Sequence, residues 1–293
     1  MSRELRDVRR RLRGTREIRH ATHALQKVAA TRLVPQQDAL LCLARYVRGL
    51  EDALRAAGAA APETAHPLTA ERPAGALAVV IFGSDRGLCG GFNTQLAERL
   101  TAFRRAHAGD EIRLLVSGRI VWRRVRRLGL PVERLFPQPR FEPARGGTAD
   151  ESLEPLIRAA RTGFAREDYR AVYLLYARFR SVLSQEPVVE RLLPARPPGP
   201  DGQDRRVAVR FASEFDPGPA QIAAAVLDEW VRSRAHLAFL SSLASENAMR
   251  QAAMSRATEN AGELIEELLK GYRRLRQENI TTEMLEIAAG RVG

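Results

Sequence analysis

Helical periodicity at both ends of the chain, around a middle of alternating strand and helix patterns, is the feature that most narrows the possible folds. Leu40, Leu43, Val47, Leu50 and Leu54 step by three and four residues, the a/d seam of a helix that packs on another helix. Leu5, Val8 and Leu12 open the same stripe, and Ile18, Leu25 and Val28 are expected to carry it on. Pro35 sits inside it. A proline there removes a hydrogen bond and crowds the preceding turn, so a kink or short break is expected. The helix is expected to end near Gly58, before an Ala/Pro/Thr-rich linker at 59–75.

At the other end, Asp216-Pro217 reads as a helix start. Ile222, Val226, Trp230, Leu237, Leu240 and Ala244 follow, then Ala261, Leu264, Leu268, Tyr272 and Leu275. Ala248, Ala253, Ala257 and Ala261 would let a partner helix come close. Some 70 residues at about 1.5 Å each span roughly 100 Å. No small core buries such a helix, and the N-terminal helix is its obvious partner. The predicted fold class is α/β with long terminal helices. Segments 1–58 and 217–289 form one antiparallel two-helix coiled coil, and 73–212 is an inserted, Rossmann-like α/β domain. Helix ends near 57 and 217 would set Leu25 opposite residue 249, Lys27 and Arg250 at similar heights, and Met1 opposite residue 273. Gln277 and Thr281 would then project as a single helix. Two long helices around a globular insert suggest mechanical coupling more than catalysis.

The insert reads as strands Leu77–Phe82, Ile112–Val116, Ala171–Tyr176 and Val207–Phe211, with helices near 92–107, 119–129 and 150–165 and a loop at Pro194–Gly202. Such alternation predicts a parallel sheet with helices packed on it.

Composition restricts partners and compartment. No run of 18 uninterrupted apolar residues exists, so no transmembrane helix is expected, and the Arg-rich start lacks the apolar core of a secretory signal. Two cysteines, Cys42 and Cys89, make no disulfide framework, so reducing, cytosolic surroundings are expected. The net charge of +12 is unevenly placed: residues 1–34 hold ten Lys/Arg against three acids, and residues 214–293 nine against twelve. The basic N-terminal segment implies an acidic partner.

The glycine-rich turn between the first strand and its helix reads Ser84-Asp85-Arg86-Gly87-Leu88-Cys89-Gly90-Gly91-Phe92-Asn93. Backbone N–H groups at such a turn can hold a phosphate. This one has neither the Gly-Lys-Ser/Thr of a P-loop nor the G-x-G-x-x-G of a dinucleotide turn. The structural reading is favoured, with glycines for tightness and Asp85 and Arg86 for local pairing. Cys89 has no histidine beside it in a nucleophile pattern, and His20 with His23 make only two candidate metal ligands. No metal, cofactor or catalytic residue is expected. The N-terminal arginines lack the interleaved aromatics of a single-strand binder. The cluster Arg119, Arg123, Arg124, Arg126 and Arg127 is most simply a solvated helix face.

Three segments together resemble the γ subunit of F-type ATP synthases. They are the Ser84–Asn93 turn; Ser245-Glu246-Asn247-Ala248-Met249-Arg250-Gln251-Ala252-Ala253-Met254 with Ala257-Thr258-Glu259-Asn260-Ala261; and Tyr272-Arg273-Arg274-Leu275-Arg276-Gln277 with Ile280-Thr281-Thr282-Glu283, Glu286-Ile287 and Gly290. The match runs nearly end to end. The resemblance implies a non-catalytic rotor whose rotation couples ion flow to ATP synthesis or hydrolysis. Its implied partners are the α and β subunits of the α3β3 head, the ε subunit and the c-ring. It also implies attachment to the membrane only through that complex, on the cytoplasmic face of a bacterial plasma membrane. By the same resemblance Leu25, Lys27, Arg250, Arg276, Gln277 and Thr281 lie in the coupling region against β, while Ser84, Asp85, Arg86, Gly87, Gly90 and Gly91 form a structural turn. Leu25 and Lys27 stand where the family commonly has methionines, and Glu278-Asn279 replaces a small pair. These departures leave open a divergent, Na⁺-linked rotary ATPase. A rival reading, a basic coiled-coil protein binding nucleic acid, gives the glycine-rich turn no role.

Overall fold

The structure, a computed structural model, describes residues 3–60, 66–141, 152–196 and 219–290. Helix α1 (Arg3–Ala60) runs through Pro35 without interruption. The expected break is absent because the flanking turns are held by packing. Leu33 is buried against Ala244 and Ala248, and Gln36 Oε1 accepts a hydrogen bond from Asn247 Nδ2 at 2.9 Å. The strand Val207–Phe211 and the helix start at Asp216-Pro217 lie outside the described residues. The last helix, here α5 (Pro219–Ala289), is 71 residues long.

The chain groups into two compact units, residues 31–249 and residues 1–30 with 250–293. In the first, β1 (Ala76–Phe82), α2 (Phe92–Ala106), β2 (Ile112–Ser117), α3 (Arg119–Arg127), β3 (Val132–Phe136), α4 (Glu154–Ala165), β4 (Tyr169–Phe179) and β5 (Gln185–Leu193) follow in order. They build one sheet in the order β3-β2-β1-β4-β5. The strand β1 pairs parallel with β2 and β4, and β2 parallel with β3, whereas β5 returns antiparallel along β4. The parallel sheet expected from the alternation is therefore present in β3, β2, β1 and β4, and β5 adds an antiparallel edge that was not expected. Both β3 and β5 escaped the sequence reading because they are edge strands. Adjacent charged pairs, Glu133-Arg134 and Glu190-Arg191, interrupt their apolar residues, and β5 carries Pro187.

All seven residues of β1 are buried, because both faces of the sheet are covered. Leu77, Val79 and Ile81 pack with Phe92, Leu96 and Leu100 of α2 and Val121 and Val125 of α3. Ala76, Ala78, Val80 and Phe82 face the other layer, with Leu156, Ile157 and Phe164 of α4, Val47 and Leu54 of α1, and Trp230, Val231 and Phe239 of α5. Leu40, Leu43 and Leu50 pack partly buried on this core, so the predicted a/d seam of 40–54 is the packed face. Trp230 Nε1 donates to Glu51 Oε1 at 3.2 Å across the two long helices.

In the second unit Leu5, Leu12 and Ala29 are buried on α1, and Met254, Ala261 and Ile265 on α5. Here the sequence reading needs two corrections. Ile18, Leu25 and Val28 are 58%, 37% and 48% exposed, and Leu264 is 45% exposed, so they lie off the seam. The packed face continues the heptad of 40–54 backwards through Ala29 and Thr22 to Leu12 and Leu5, and on α5 it takes Ile265 in place of Leu264. Apolarity misled because half-buried Thr22, not Leu25, sits at a seam position.

The register is the second correction. Thr258 Oγ1 donates to Thr22 Oγ1 at 2.8 Å. Counting three residues on from Thr22 and three back from Thr258 places Leu25 level with Ser255, not with residue 249. Both helix ends lie beyond the expected residues 57 and 217: α1 runs to Ala60 and α5 begins at Pro219. Lys27 is then level with Ala253, still within a turn of Arg250. Gln277 is level with Arg3 rather than beyond the paired stretch, while Thr281 lies past the level of the described part of α1.

Candidate functional site

The Ser84–Asn93 turn is closed by its own side chains. Asn93, at the start of α2, accepts at Oδ1 from Ser84 N at 3.2 Å and donates from Nδ2 to Ser84 Oγ at 2.7 Å. Asp85 Oδ1 accepts from the backbone N of Arg119 at 2.8 Å, at the N-terminus of α3, where a carboxylate is favoured by the orphan N–H groups. Asp85 N donates to Gln138 Oε1 at 3.1 Å, and Gln138 N donates back to Asp85 Oδ2 at 3.4 Å. Two of the turn's backbone donors are thus spent inside the protein rather than left for a phosphate. Arg86, Gly87 and Gly90 are exposed, and Gly91 opens α2.

Backbone approach is the reason for glycine beneath this turn. A Cβ at Gly118, whose φ is +106°, would lie 2.6 Å from the Gly83 carbonyl carbon. At Gly83 it would lie 2.1 Å from a methyl of Val121. Leu88 holds a left-handed φ of 61° with its side chain 62% exposed. Cys89 is buried with its sulfur 3.3 Å from Asn93 Nδ2, so it completes the packing of the turn.

The six residues expected to couple to a partner all fall in the unit of residues 1–30 and 250–293, but not in one cluster. Lys27 and half-buried Arg250 lie within about one turn of each other along the pair, and Leu25 two residues beyond Lys27. Arg276, Gln277 and Thr281 are exposed roughly 40 Å further along α5. Thr281 Oγ1 donates back to Gln277 O at 3.0 Å, so the two stand on one face. Arg274 pairs with Glu278 at 2.8 Å, and that hydrogen bond raises the Arg274 pKa. The sequence reading missed the exposed apolar positions Ile18, Val28, Ile280, Met284 and Leu285. The signal was present in the heptad, which leaves Ile18, Leu25 and Val28 off the seam positions, where they are exposed. Arg16, Arg19, His20 and His23 line a groove with Thr258 and Ile265, a basic surface on the same unit. Among the described residues no group of three or more His, Cys, Asp or Glu is placed to hold a metal.

Titratable groups with shifted pKa values lie mainly in the other unit. Burial pushes the Tyr176 phenol up to about 12, helped by Glu190. Burial, then the hydrogen bond that Tyr169 donates to Glu133 at 2.7 Å, raises the Tyr169 pKa. None belongs to an arrangement of nucleophile, base and orienting group.

Comparison with known proteins fits this geometry. A family model described as ATP synthase matches residues 4–292. An ATP synthase gamma chain from Pelotomaculum thermopropionicum is 33% identical over 286 residues, covering 98% of this chain and 97% of its own length. Another, from an Anaeromyxobacter species, is 36% identical over 293 residues with the same coverage. Among solved structures, a chain of the Euglena gracilis mitochondrial ATP synthase (OSCP/F1/c-ring) superposes with a TM-score of 0.63 at 16% identity, covering 99% of this chain and 94% of that one. A chain of the Tetrahymena thermophila mitochondrial ATP synthase central stalk and c-ring gives 0.56 at 19% identity, covering 81% of this chain and 99% of that one. At those identities the structures speak for the fold.

Proposed function

The chain belongs to the family of ATP synthase gamma chains, and from that premise we propose how its own residues serve a rotor. It is a non-catalytic subunit, a peripheral part of the ATP synthase on the membrane. Ion-driven rotation of the c-ring turns it, and its rotation drives the β subunits through the conformations of ATP synthesis or hydrolysis. Its partners are the α and β subunits of the α3β3 head, the ε subunit and the c-ring. It sits on the cytoplasmic face of a bacterial plasma membrane through that complex.

The observation that carries this reading is the division of apolar residues on α1. One stripe is buried on α5, and a second one, Ile18, Leu25 and Val28, stays exposed amid arginines. A helix pair with no further partner gains nothing from that second stripe. A ring around it covers the apolar residues and offers acidic groups to the basic ones. Arg250, Arg276, Gln277 and Thr281 make the polar contacts through which force reaches β, at two levels of the helix pair. The Ser84–Gly91 turn is structural.

Co-expression with the cognate α and β chains tests the reading. The expected result is one complex whose ATP hydrolysis turns a bead fixed to this chain. Purification of the chain bound to nucleic acid, with no α–β complex formed, is the opposite outcome and supports the rival reading.

A further inference from the structure

The strands β1 and β4 end against α5, and the contact there is made largely by polar side chains of the helix. N-terminal to that contact the packed face of α5 is mainly apolar, with Leu227, Trp230, Val231, Ala235, Ala238 and Phe239 buried. Against the strand ends it carries Ser241, Ser242, Ser245 and Glu246, each 5% exposed or less. Ser242 Oγ donates to Phe82 O at 2.7 Å and accepts from Ala177 N at 3.3 Å, so one hydroxyl ties two strands to the helix. Ser241 Oγ accepts from Phe179 N at 2.8 Å and donates to Ala177 O at 3.3 Å. Ser245 Oγ donates to Ala177 O at 3.0 Å. Glu246 Oε2 accepts from Gln138 Nε2 at 2.5 Å, and Gln138 is the residue that brackets Asp85 in the glycine-rich turn.

Serine inside a helix ordinarily bonds back to its own preceding turn. These hydroxyls instead bond to the backbone of other elements. Burying them, and a carboxylate beside them, costs free energy unless every group is bonded. Alanine would fill the same space without that cost. Apolar contact is non-directional, so it resists separation far more than it resists one surface turning on another. Hydrogen bonds are directional and weaken steeply when the angle changes.

We propose that Ser241, Ser242, Ser245 and Glu246, with Gln138, form the joint through which turning force passes between the sheet and α5. The inference rests on the rotor reading and adds to it the place where torque enters the long helix. These are positioning residues. The sheet-side anchors are the backbone at Phe82, Ala177 and Phe179 and the Asp85 turn, which assigns the glycine-rich turn a mechanical role.

The test uses the assembled complex with the full chain. The head is immobilised, and a bead is fixed to the α/β domain through Arg105→Cys with Cys42→Ser. The angular spread of the bead is then recorded while the rotor pauses. Replacing Ser241, Ser242 and Ser245 together by Ala should widen the angular variance by about twofold or more. Gln138→Ala lies on a loop and assembles even if the triple variant does not, and it should widen the variance by a smaller factor. Leu240→Ala is the control, a buried apolar truncation beside the joint that lowers the unfolding temperature without widening the spread. Variance unchanged in the serine and Gln138 variants overturns the joint, as does a Leu240→Ala complex that loosens as much as they do. A parent complex that does not turn under ATP instead removes the rotor reading itself, and the joint with it.

Discussion

Thr22 and Thr258 meet hydroxyl to hydroxyl at 2.8 Å, one from each long helix, and this contact sets the register of the pair. Both are polar residues at heptad positions where a leucine would be expected. The expected consequence is a cross-link. Thr22→Cys with Thr258→Cys, in a background without Cys42 and Cys89, forms a disulfide efficiently, since that requires Cα atoms within about 7 Å. Leu25→Cys with Met249→Cys does not. Non-reducing gel mobility decides, and a higher yield from the second pair would overturn the register.

Two glycines of the turn region behave oppositely. Gly118→Ala meets the Gly83 carbonyl carbon at 2.6 Å from a left-handed φ, and should cost about 2–4 kcal/mol of unfolding free energy. Gly87→Ala meets nothing within 4 Å and should change stability by less than about 0.5 kcal/mol. Urea unfolding of the two variants checks the contrast. Equal effects would mean that the close approach of the two turns does not constrain the fold.

His236 on α5 is mostly buried, and its Nε2 has no hydrogen-bond partner among the described residues. Burial lowers its pKa; Glu154 and Glu229 oppose the shift and Arg232 adds to it. A base whose folded pKa is depressed takes up its proton first in the unfolded chain. Stability is therefore complete above about pH 6.5, the unfolded value, and falls as the pH drops from there towards the folded pKa. His236→Gln should flatten the fall between about pH 7.5 and pH 5.5 in urea titrations. An identical slope in the variant would refute the assignment.

Force transmission by polar contact predicts a graded effect. Arg250→Ala should lower ATP synthesis in membrane vesicles more than Gln277→Ala, because a charge-assisted bond contributes about 1.5–3 kcal/mol against roughly 1 kcal/mol for a neutral one. Complex assembly should be largely unaffected in both. Parent rates of synthesis in both variants would exclude these contacts from coupling.

The exposed stripe on α1 predicts a trade. Replacing Ile18, Leu25 and Val28 by Ser should raise the solubility of the isolated chain and lower the yield of complex with α and β chains. The buried seam is untouched, so circular dichroism should keep its helical signal. Unchanged assembly would mean the stripe has no partner there.

The sequence by itself determined the two long helices, the α/β insert and the seam of 40–54, because in those stretches apolar spacing and burial coincide. Tertiary structure alone decided the edge strands β3 and β5, whose pairing is a property of their neighbours and not of their own apolar runs, which charged residues interrupt. It alone decided the seam near Thr22. There the heptad runs through polar and small residues while Ile18, Leu25 and Val28 point outward, so hydrophobicity indicated the wrong face. It also decided the register, which depends on where each helix ends, and the serine contacts to the strand ends. Serine in a helical pattern reads as a neutral surface residue, and only the backbone groups of Phe82, Ala177 and Phe179, distant in sequence, give those hydroxyls their partners.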